Sequence, residues 1–269
     1  MGGHVTIPAM DLGLDGKVCV VTGASRGVGF EVGRRLCAEG AHVLFVGRDA
    51  EALAKAADGC GGDYLAGDVT DPEIDERIVA TCAEQMGGVD VLVNNAGTSF
   101  ARALDELTDD DWQGLWELHV LAPMRLMRAA APRMAARGGG RIVNVCSSAG
   151  KRPSLTNAAY SVTKAAQLSL SRVFADSYAE ANVLVNAVTP GPVASDLWTA
   201  DGGLADQNAA AKGISREEAL EAQSDKVPLG RFAEPAEIAD VVVFLCSERA
   251  STVTGAAWSV DGGTFASII

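Results

Sequence analysis

Residues 21–29 read VTGASRGVG and close an apolar, β-branched run, KVCVVTG, that begins at residue 17. Glycines at 23, 27 and 29 allow a sharp turn from a strand into a helix, and they let an anion approach the N–H groups that begin the helix. A glycine-rich turn also serves plain strand–helix packing, so alone it is weak evidence for a nucleotide site. Its position directly after the first strand favours the nucleotide interpretation. No Gly-Lys-Ser/Thr follows, so the turn is not a P-loop.

Similar apolar runs recur along the chain, and most are continuous rather than alternating, as is typical of strands buried on both faces of a parallel sheet. They lie at residues 17–23, 41–47, 63–66, 89–97, 140–148, 182–190 and 256–263. Helices are predicted between them, at 28–39, 50–57, 72–87, 111–136, 157–180 and 235–247. The alternation predicts an α/β fold: a Rossmann-type doubly wound parallel sheet of about seven strands with helices on both faces. No linker or repeat divides residues 1–269, so a single domain is expected.

Residues 194–231, after the sixth strand, break this alternation. Ser215 and Glu218 predict a capping box at the start of a short helix. The insert is either a surface decoration or a lid over a site at the carboxyl ends of the strands. The lid is favoured because loops of this length are commonly functional, with Leu197, Trp198 and Leu204 as candidate substrate contacts.

The net charge of −13 disfavours nucleic acid and anionic membranes as partners. Six scattered cysteines without a CxxC motif indicate a reduced, cytoplasmic protein. The N-terminal segment has no basic region followed by an apolar stretch, so no signal peptide is expected, and no apolar run reaches transmembrane length. His4, His42 and His119 show no ligand spacing, so no metal site is predicted.

Residues 157–167 read NAAYSVTKAAQ and place Tyr160 and Lys164 four apart, on one face of a predicted helix. An ammonium beside a phenol favours the phenolate and lowers the phenol pKa from about 10. The pair therefore predicts a proton donor that works near neutral pH. Such a pair also arises by chance, so its interpretation depends on the rest of the chain.

Together with the glycine turn, NNAG at 94–97, SS at 147–148 and YSVTK at 160–164, the chain resembles the classical short-chain dehydrogenase/reductase family, and within it the 3-oxoacyl-carrier-protein reductases. The match runs from about residue 14 to 263 and includes PG at 190–191 and the closing VDGG. The resemblance implies hydride transfer between a nicotinamide and a carbonyl carbon, without a metal. It makes Tyr160 the general acid, with Lys164 lowering its pKa and binding the nicotinamide ribose. Ser147 would orient the carbonyl, with Ser148 as the second candidate.

The resemblance also implies the cofactor site. Gly47 occupies the position at the end of the second strand that usually carries an acidic residue, and Arg48 follows it. Arg48 and Arg26 favour NADP(H), with NAD(H) as second choice. The alternative interpretation of Arg48 is a solvated loop arginine. Asp49 lies too far along the chain to take the place of that acidic residue. The remaining implied contacts are Gly23, Ser25, Gly27, Val28, Gly29, Asp68 and Val69 (adenine), Asn94, Ala96 and Gly97 (adenosine ribose), Pro190, Gly191, Val193 (carboxamide) and Ser195, with Tyr160 and Lys164.

His119 departs from the family, which usually carries Asn there. One interpretation is a core histidine, because His119 follows Trp112 and Leu115 on the apolar face of a predicted helix. However, Pro123 has no N–H for the His119 carbonyl, so the helix should kink there and leave that carbonyl free. In the family this carbonyl holds a proton-relay water. His119 is therefore a candidate catalytic residue whose side chain would titrate near neutrality.

The expected activity is NADPH-dependent reduction of a small-molecule ketone. One alternative is a 3-oxoacyl-carrier-protein substrate, which Lys151, Arg152, Lys212 and Arg216 would help to dock. Others are an NAD-linked secondary alcohol dehydrogenase and a non-catalytic nucleotide-binding regulator, although the regulator does not explain the Tyr–Lys pair. The helix predicted at 157–180 is apolar around most of its circumference, so it needs a second packing surface besides the sheet. The family resemblance then implies a homotetramer.

Overall fold

The computed structural model of the protein describes residues 10–266. His4 and the rest of residues 1–9, the first part of the segment for which no signal peptide is expected, lie outside the described residues. Within residues 10–266, no helix is long and apolar enough to cross a membrane, and no three His, Cys, Asp or Glu side chains are grouped to hold a metal ion.

One seven-stranded sheet forms the centre of the molecule, and every neighbouring pair of strands is parallel. The strands are β1 (Val18–Thr22), β2 (His42–Gly47), β3 (Asp63–Ala66), β4 (Val91–Asn94), β5 (Gly140–Val145), β6 (Val183–Pro190) and β7 (Ala257–Val260), in the order β3-β2-β1-β4-β5-β6-β7. All residues of β1, β4 and β6 are buried, as their continuous apolar runs predict. The predicted α/β fold is confirmed.

Helices cover both faces of the sheet. They are α1 (Gly27–Ala38), α2 (Ala50–Asp58), α3 (Ile74–Met86), α4 (Asp109–Trp116), α5 (Ala122–Ala136), α6 (Ala158–Tyr178), α7 (Asp196–Thr199), α8 (Leu204–Lys212), α9 (Arg216–Ser224) and α10 (Pro235–Cys246). Side chains of α1, α2 and α10 share one buried cluster with one face of the sheet. Those of α3, α5 and α6 share a second cluster with the other face. The two clusters are the two halves of the core.

Two helical predictions need correction. The helix expected at 111–136 is divided into α4 and α5 by a wider π-helical turn, Glu117–Leu121, just before Pro123. Because proline lacks an N–H, the regular ladder cannot run through this point, and the interruption falls where a kink was expected.

The segment 194–231 contains three helices, α7, α8 and α9, rather than one. The capping box before α9 is confirmed: Ser215 Oγ accepts from the Glu218 N–H at 3.1 Å, and Glu218 Oε2 accepts from the Ser215 N–H at 2.8 Å. Helix α8 has no distinct apolar face in LADQNAAAK, which is why the sequence pattern did not reveal it.

The strand order reverses beside β1, whose neighbours are β2 on one side and β4 on the other. In open parallel sheets, ligands bind in the crevice outside the carboxyl ends of the strands at such a point. The turns that follow β1 and β4 both lie at this point, at the carboxyl ends of adjacent strands. The topology therefore brings the glycine turn and the NNAG segment to one edge.

Candidate functional site

A cleft of about 1360 Å³ lies at this edge. It is larger than the roughly 300–1,000 Å³ of an ordinary small-molecule pocket, so it has room for a dinucleotide together with a substrate. Ser147, Tyr160 and Lys164 line it, as does the glycine turn. The structure thus brings most of the predicted site residues together: Ser25, Arg26, Gly27, Val28, Arg48, Asp68, Val69, Ala96, Gly97, Pro190, Gly191, Val193 and Ser195 also line the cleft.

At two positions of the glycine turn an added Cβ would clash with neighbouring atoms. Gly23 has φ +63°, and a Cβ there would lie 2.9 Å from the Ala96 Cα. A Cβ on Gly29 would lie 2.4 Å from both the Asn95 Nδ2 and the Gly23 carbonyl oxygen. Gly29 does not line the cleft, and its expected role as a direct contact stays a prediction. It is buried behind the turn and allows α1 to pack closely against it.

The first turn of α1 faces the cleft with Ser25, Arg26, Gly27 and Val28. No side chain caps this helix end, and its first turn contains no acidic residue. Free N–H groups and the positive end of the helix dipole are therefore available to an anion. This end of the cleft suits a pyrophosphate.

Asn94 does not line the cleft, contrary to expectation. Its side chain is buried and donates from Nδ2 to Asn144 Oδ1 at 2.8 Å. Asn95 lines the cleft instead, and its Nδ2 donates to the carbonyls of Thr22 and Gly23 at 3.0 and 3.2 Å. Successive residues along a strand point to opposite faces, so a shift of one residue exchanges their roles. Sequence reasoning missed this bracing function of Asn95.

Two arginines lie at the edges of the proposed cofactor end. Arg48 Nη1 is 4.0 Å from Asp68 Oδ2, and Arg26 Nη1 is 3.4 Å from Asp196 Oδ2. All four side chains are substantially exposed, so these pairs are weak in energy and open to competition by an anion. Asp49 does not line the cleft and instead caps α2, accepting from the Ala52 N–H at 3.0 Å.

Lys164 lies beside Tyr160 on the first turns of α6. Its Nζ is 5.7 Å from the centre of the Tyr160 ring, and it donates to the Val145 carbonyl at 3.1 Å and to Gln167 Oε1 at 2.9 Å. A Cβ on Gly150 would lie 2.8 Å from the Lys164 carbonyl carbon, so the turn after β5 packs directly on the α6 backbone. This close packing fixes the distance between the two elements that carry the reactive side chains.

Ser147 begins the turn after β5, and its Oγ accepts from the Ala149 N–H at 3.1 Å. Ser147 therefore caps this turn. Both serines line the cleft, and the Ser147 side chain interacts with the Tyr160 hydroxyl. The effect of Ser147 on the Tyr160 pKa favours Ser147 over Ser148 as the partner of Tyr160.

The pKa of Tyr160 differs in direction from the prediction. Burial raises it to about 12, because the protein around the hydroxyl disfavours a phenolate, and the Ser147 side chain offsets this only in part. The Lys164 ammonium lies over the ring and is bonded to Val145 and Gln167 rather than to the hydroxyl, so the expected lowering is absent. Burial lowers the pKa of Lys164 itself to about 8. Tyr160 therefore stays protonated near neutral pH, which is the state a proton donor needs.

His119 is fully buried and does not line the cleft. Its Nε2 accepts from the Thr98 N–H at 3.3 Å, which assigns the ring proton to Nδ1. Nδ1 then donates to Thr163 Oγ1 at 3.0 Å, and Thr163 donates to the Tyr160 carbonyl at 2.9 Å. Burial, together with the charge of Lys164, holds the pKa of His119 well below 6.5. The expected titration near neutrality is therefore wrong, and the core-histidine interpretation fits.

The segment 194–231 forms one wall of the cleft, where Leu197, Trp198 and Leu204 all contribute to the lining. Trp198 packs edge-on against Phe232, with ring centres 5.2 Å apart. Gln207 Oε1 in α8 accepts from the Ala101 N–H at 2.7 Å, which ties this wall to the loop after β4.

The basic patch expected to dock an acidic carrier is largely occupied. Lys151 donates to the Ala257 carbonyl and Ser259 Oγ at 2.7 and 2.9 Å. Arg216 pairs with Asp206 at 3.1 Å. Of the four cations, only Arg152 and Lys212 line the cleft. Lys151 and Arg216 are therefore engaged within the protein, and docking of a carrier stays a prediction.

Comparisons with known proteins agree with this architecture. The family model described as Enoyl-(Acyl carrier protein) reductase matches residues 23–264. The chain is 38% identical over 258 residues to galactitol 2-dehydrogenase (L-tagatose-forming) of Cereibacter sphaeroides, covering 93% of this chain and 95% of that protein. It is 32% identical over 256 residues to the 3-oxoacyl-[acyl-carrier-protein] reductase FabG of Vibrio cholerae, covering 94% and 99%. The crystal structure of L-sorbose reductase from Gluconobacter frateurii complexed with NADPH and L-sorbose superposes with a TM-score of 0.89 at 38% identity, over 96% of this chain and 100% of that one.

Proposed function

The chain belongs to the classical short-chain dehydrogenase/reductase family, and we propose that it is an NADPH-dependent reductase that converts a small ketone to a secondary alcohol. As a member of that family it is an NAD(P)-dependent oxidoreductase acting on C=O and CH–OH groups. One observation carries the finer proposal: Ser147, Tyr160 and Lys164 line the same cleft as the glycine turn.

The residues at the glycine turn fit a dinucleotide, since Gly23 and Gly29 leave room that a Cβ would fill and the α1 N-terminus is uncapped. When bound, the dinucleotide supplies the hydride. The Ser147 hydroxyl orients the substrate carbonyl, and the Tyr160 hydroxyl donates the proton to its oxygen. Lys164 has one N–H left for the cleft after its bonds to Val145 and Gln167, and its charge stabilises the phenolate as it forms.

NADPH is the proposed cofactor because two guanidiniums, Arg48 and Arg26, line its expected adenosine end. Gly47 leaves no carboxylate at the end of β2 to accept from a ribose 2′-hydroxyl, and Asp49 is engaged as a helix cap. The similar L-sorbose reductase was crystallised in complex with NADPH, which supports the same choice.

We propose a small polyhydroxylated ketone as the substrate. The amide side chains of Asn157 and Asn208 line the cleft beside the apolar lid residues and can bond hydroxyl groups, whereas both ends of the Gln207 amide are bonded to Ala101 and Gly202. Two similar proteins at 38% identity are named for sugar or polyol substrates, L-sorbose and galactitol. The carrier-protein alternative has less support, because Lys151 and Arg216 are engaged within the protein.

A second candidate is NAD-linked oxidation of a secondary alcohol. The name of the similar galactitol 2-dehydrogenase is the observation that favours it. The ratio of kcat/KM for NADPH-driven reduction to that for NAD⁺-driven oxidation of the matching alcohol separates the two candidates.

The assembly and location are further proposals. Val162 and Val173 of α6 remain exposed, at 46% and 57%, which supports a homotetramer paired through this helix. Light scattering of the purified protein tests the subunit number. All six cysteines are free, which supports a cytoplasmic location.

NADPH oxidation, measured over ketoses, β-ketoacyl thioesters, diketones and steroid-like ketones, tests the proposed reaction. A kcat/KM for one ketose at least tenfold above every other class is the expected result. Turnover confined to the thioesters would contradict the ketose substrate and favour an acyl thioester. If no ketone is reduced with either nicotinamide, the proposed reductase activity is wrong.

A further inference from the structure

We infer that Gln167 is a positioning residue for Lys164, whose amide oxygen keeps the buried ammonium protonated and turned toward the cleft. The inference rests on the proposed function, in which Lys164 acts beside Tyr160. Gln167 itself does not line the cleft and touches neither substrate nor cofactor. It acts through the lysine.

The ammonium of Lys164 has three N–H donors and two protein acceptors. The Val145 carbonyl, at 3.1 Å, comes from the end of β5, and Gln167 Oε1, at 2.9 Å, comes from the next turn of α6. Gln167 is 1% exposed and Lys164 is 3% exposed, so both bonds are shielded from water. Two anchored donors fix the rotation of the ammonium and leave the third for the cleft.

The groups that face Lys164 contribute no counter-charge. Tyr160 lies on the same helix, and burial keeps its phenol protonated, with a pKa of about 12. Cys146 follows β5, and burial raises the pKa of its thiol to about 12. His119 faces the lysine from the π-helical turn and is neutral. Among residues 10–266, no carboxylate lies within salt-bridge distance of Lys164, so neutral oxygens alone offset the loss of water around its charge.

Packing alone does not require an amide at residue 167. Gln167 occupies a buried position on the sheet-facing side of α6, where a leucine would fill similar space without a polar group to satisfy. Burying the amide is unfavourable unless it is bonded, and its oxygen is bonded to Lys164. The amide therefore serves the charge beside it.

The test compares Gln167→Leu, which removes the acceptor, with Gln167→Glu, which adds a negative charge. Ser171→Ala is the matched control, because it removes a buried bond on the same helix, from Asn144 Nδ2 at 3.0 Å, without touching Lys164. Two quantities are measured for each protein. One is the Lys164 pKa, from side-chain NMR of the six lysines with Lys164→Ala for assignment. The other is the alkaline limb of kcat/KM for ketone reduction.

We expect Gln167→Leu to lower the Lys164 pKa by about one unit, which matches the energy of one hydrogen bond to a charged group. The alkaline limb of the pH profile of kcat/KM should move to lower pH by the same amount. Gln167→Glu should move both upward, because a nearby negative charge favours the ammonium. Ser171→Ala should move neither. A purely structural role would not reverse sign between the leucine and the glutamate.

Unchanged lysine pKa values, or shifts in the same direction in both variants, would overturn the inference. If Gln167→Leu does not fold, the inference is tested by Gln167→Glu alone, which should raise the Lys164 pKa. NMR shifts of the expected signs in a protein that reduces no ketone would support the positioning role and contradict the proposed function instead.

Discussion

Replacing Arg48 with glutamine should reduce the preference for NADPH without weakening the use of NADH. The guanidinium stands directly after Gly47, at the edge where the adenosine ribose is expected, and its nearest anion is Asp68 at 4.0 Å. The change keeps most of the side chain and removes its charge. It therefore tests the electrostatic part of cofactor choice alone.

The size of the effect follows from distance and exposure. Two unit charges 4 Å apart interact by about 1 kcal/mol in water and about 4 kcal/mol at an effective dielectric constant near 20. Arg48 is 81% exposed, so the lower end applies. A phosphate monoester with about 1.5 to 2 negative charges then gains about 1.5–2 kcal/mol. Loss of the exposed Asp68 pair subtracts up to about 1 kcal/mol. The net effect is about 0.5–2 kcal/mol, or about 2- to 30-fold in kcat/KM.

Initial rates with NADPH and NADH at saturating ketone give the two values of kcat/KM. Arg128→Gln, at an exposed arginine of α5 outside the cleft, is the control for the change in net charge. The NADPH effect of Arg48→Gln should also shrink as salt is raised from about 0.05 to 0.5 M, because an exposed pair is screened. An equal loss with both cofactors, or no loss with NADPH, would refute the assignment of Arg48.

Three further predictions concern the turn, the buried histidine and the lid. Gly29→Ala should weaken dinucleotide binding more than tenfold and lower the free energy of unfolding by about 1–3 kcal/mol, because the new Cβ would lie 2.4 Å from Asn95 and from a backbone oxygen; calorimetry of binding and of unfolding measures both. His119→Asn should leave the acid limb of the pH–rate profile in place between about pH 6 and 8, since the pKa of His119 is already well below 6.5; a shifted limb would show that the imidazole titrates there. Trp198→Ala should raise KM for the ketone several-fold with an unchanged Kd for NADPH, and an equal loss of both would place Trp198 at the cofactor instead.

The sheet was predictable from the sequence because its strands are buried on both faces and their apolar runs are uninterrupted. The predicted strand at 182–190 and the observed Val183–Pro190 differ by one residue. The short β3 was also recoverable, although it lies at the edge and is partly exposed. Helix α8 was not, because its alanine-rich sequence gives no amphipathic period.

The sequence predicted most of the residues that line the site, but it predicted their hydrogen bonds and pKa values less well. The motifs that carry Tyr160 and Lys164 place both side chains at the cleft, but no spacing rule reports how far burial raises a phenol pKa. The exchange between Asn94 and Asn95 depends on which face of a strand end points to the ligand, and adjacent identical residues hide it. Gln167 escaped notice because a lone glutamine in a helix has no sequence signature.

The most direct test of the account is the turnover of Tyr160→Phe, which keeps the ring and removes the hydroxyl. We expect kcat for ketone reduction to fall by about 10²- to 10⁴-fold, the usual contribution of a general acid. The Kd for NADPH and the melting temperature should stay near those of the parent protein. Unchanged turnover in a folded, NADPH-binding variant would contradict the claim that this phenol supplies the proton.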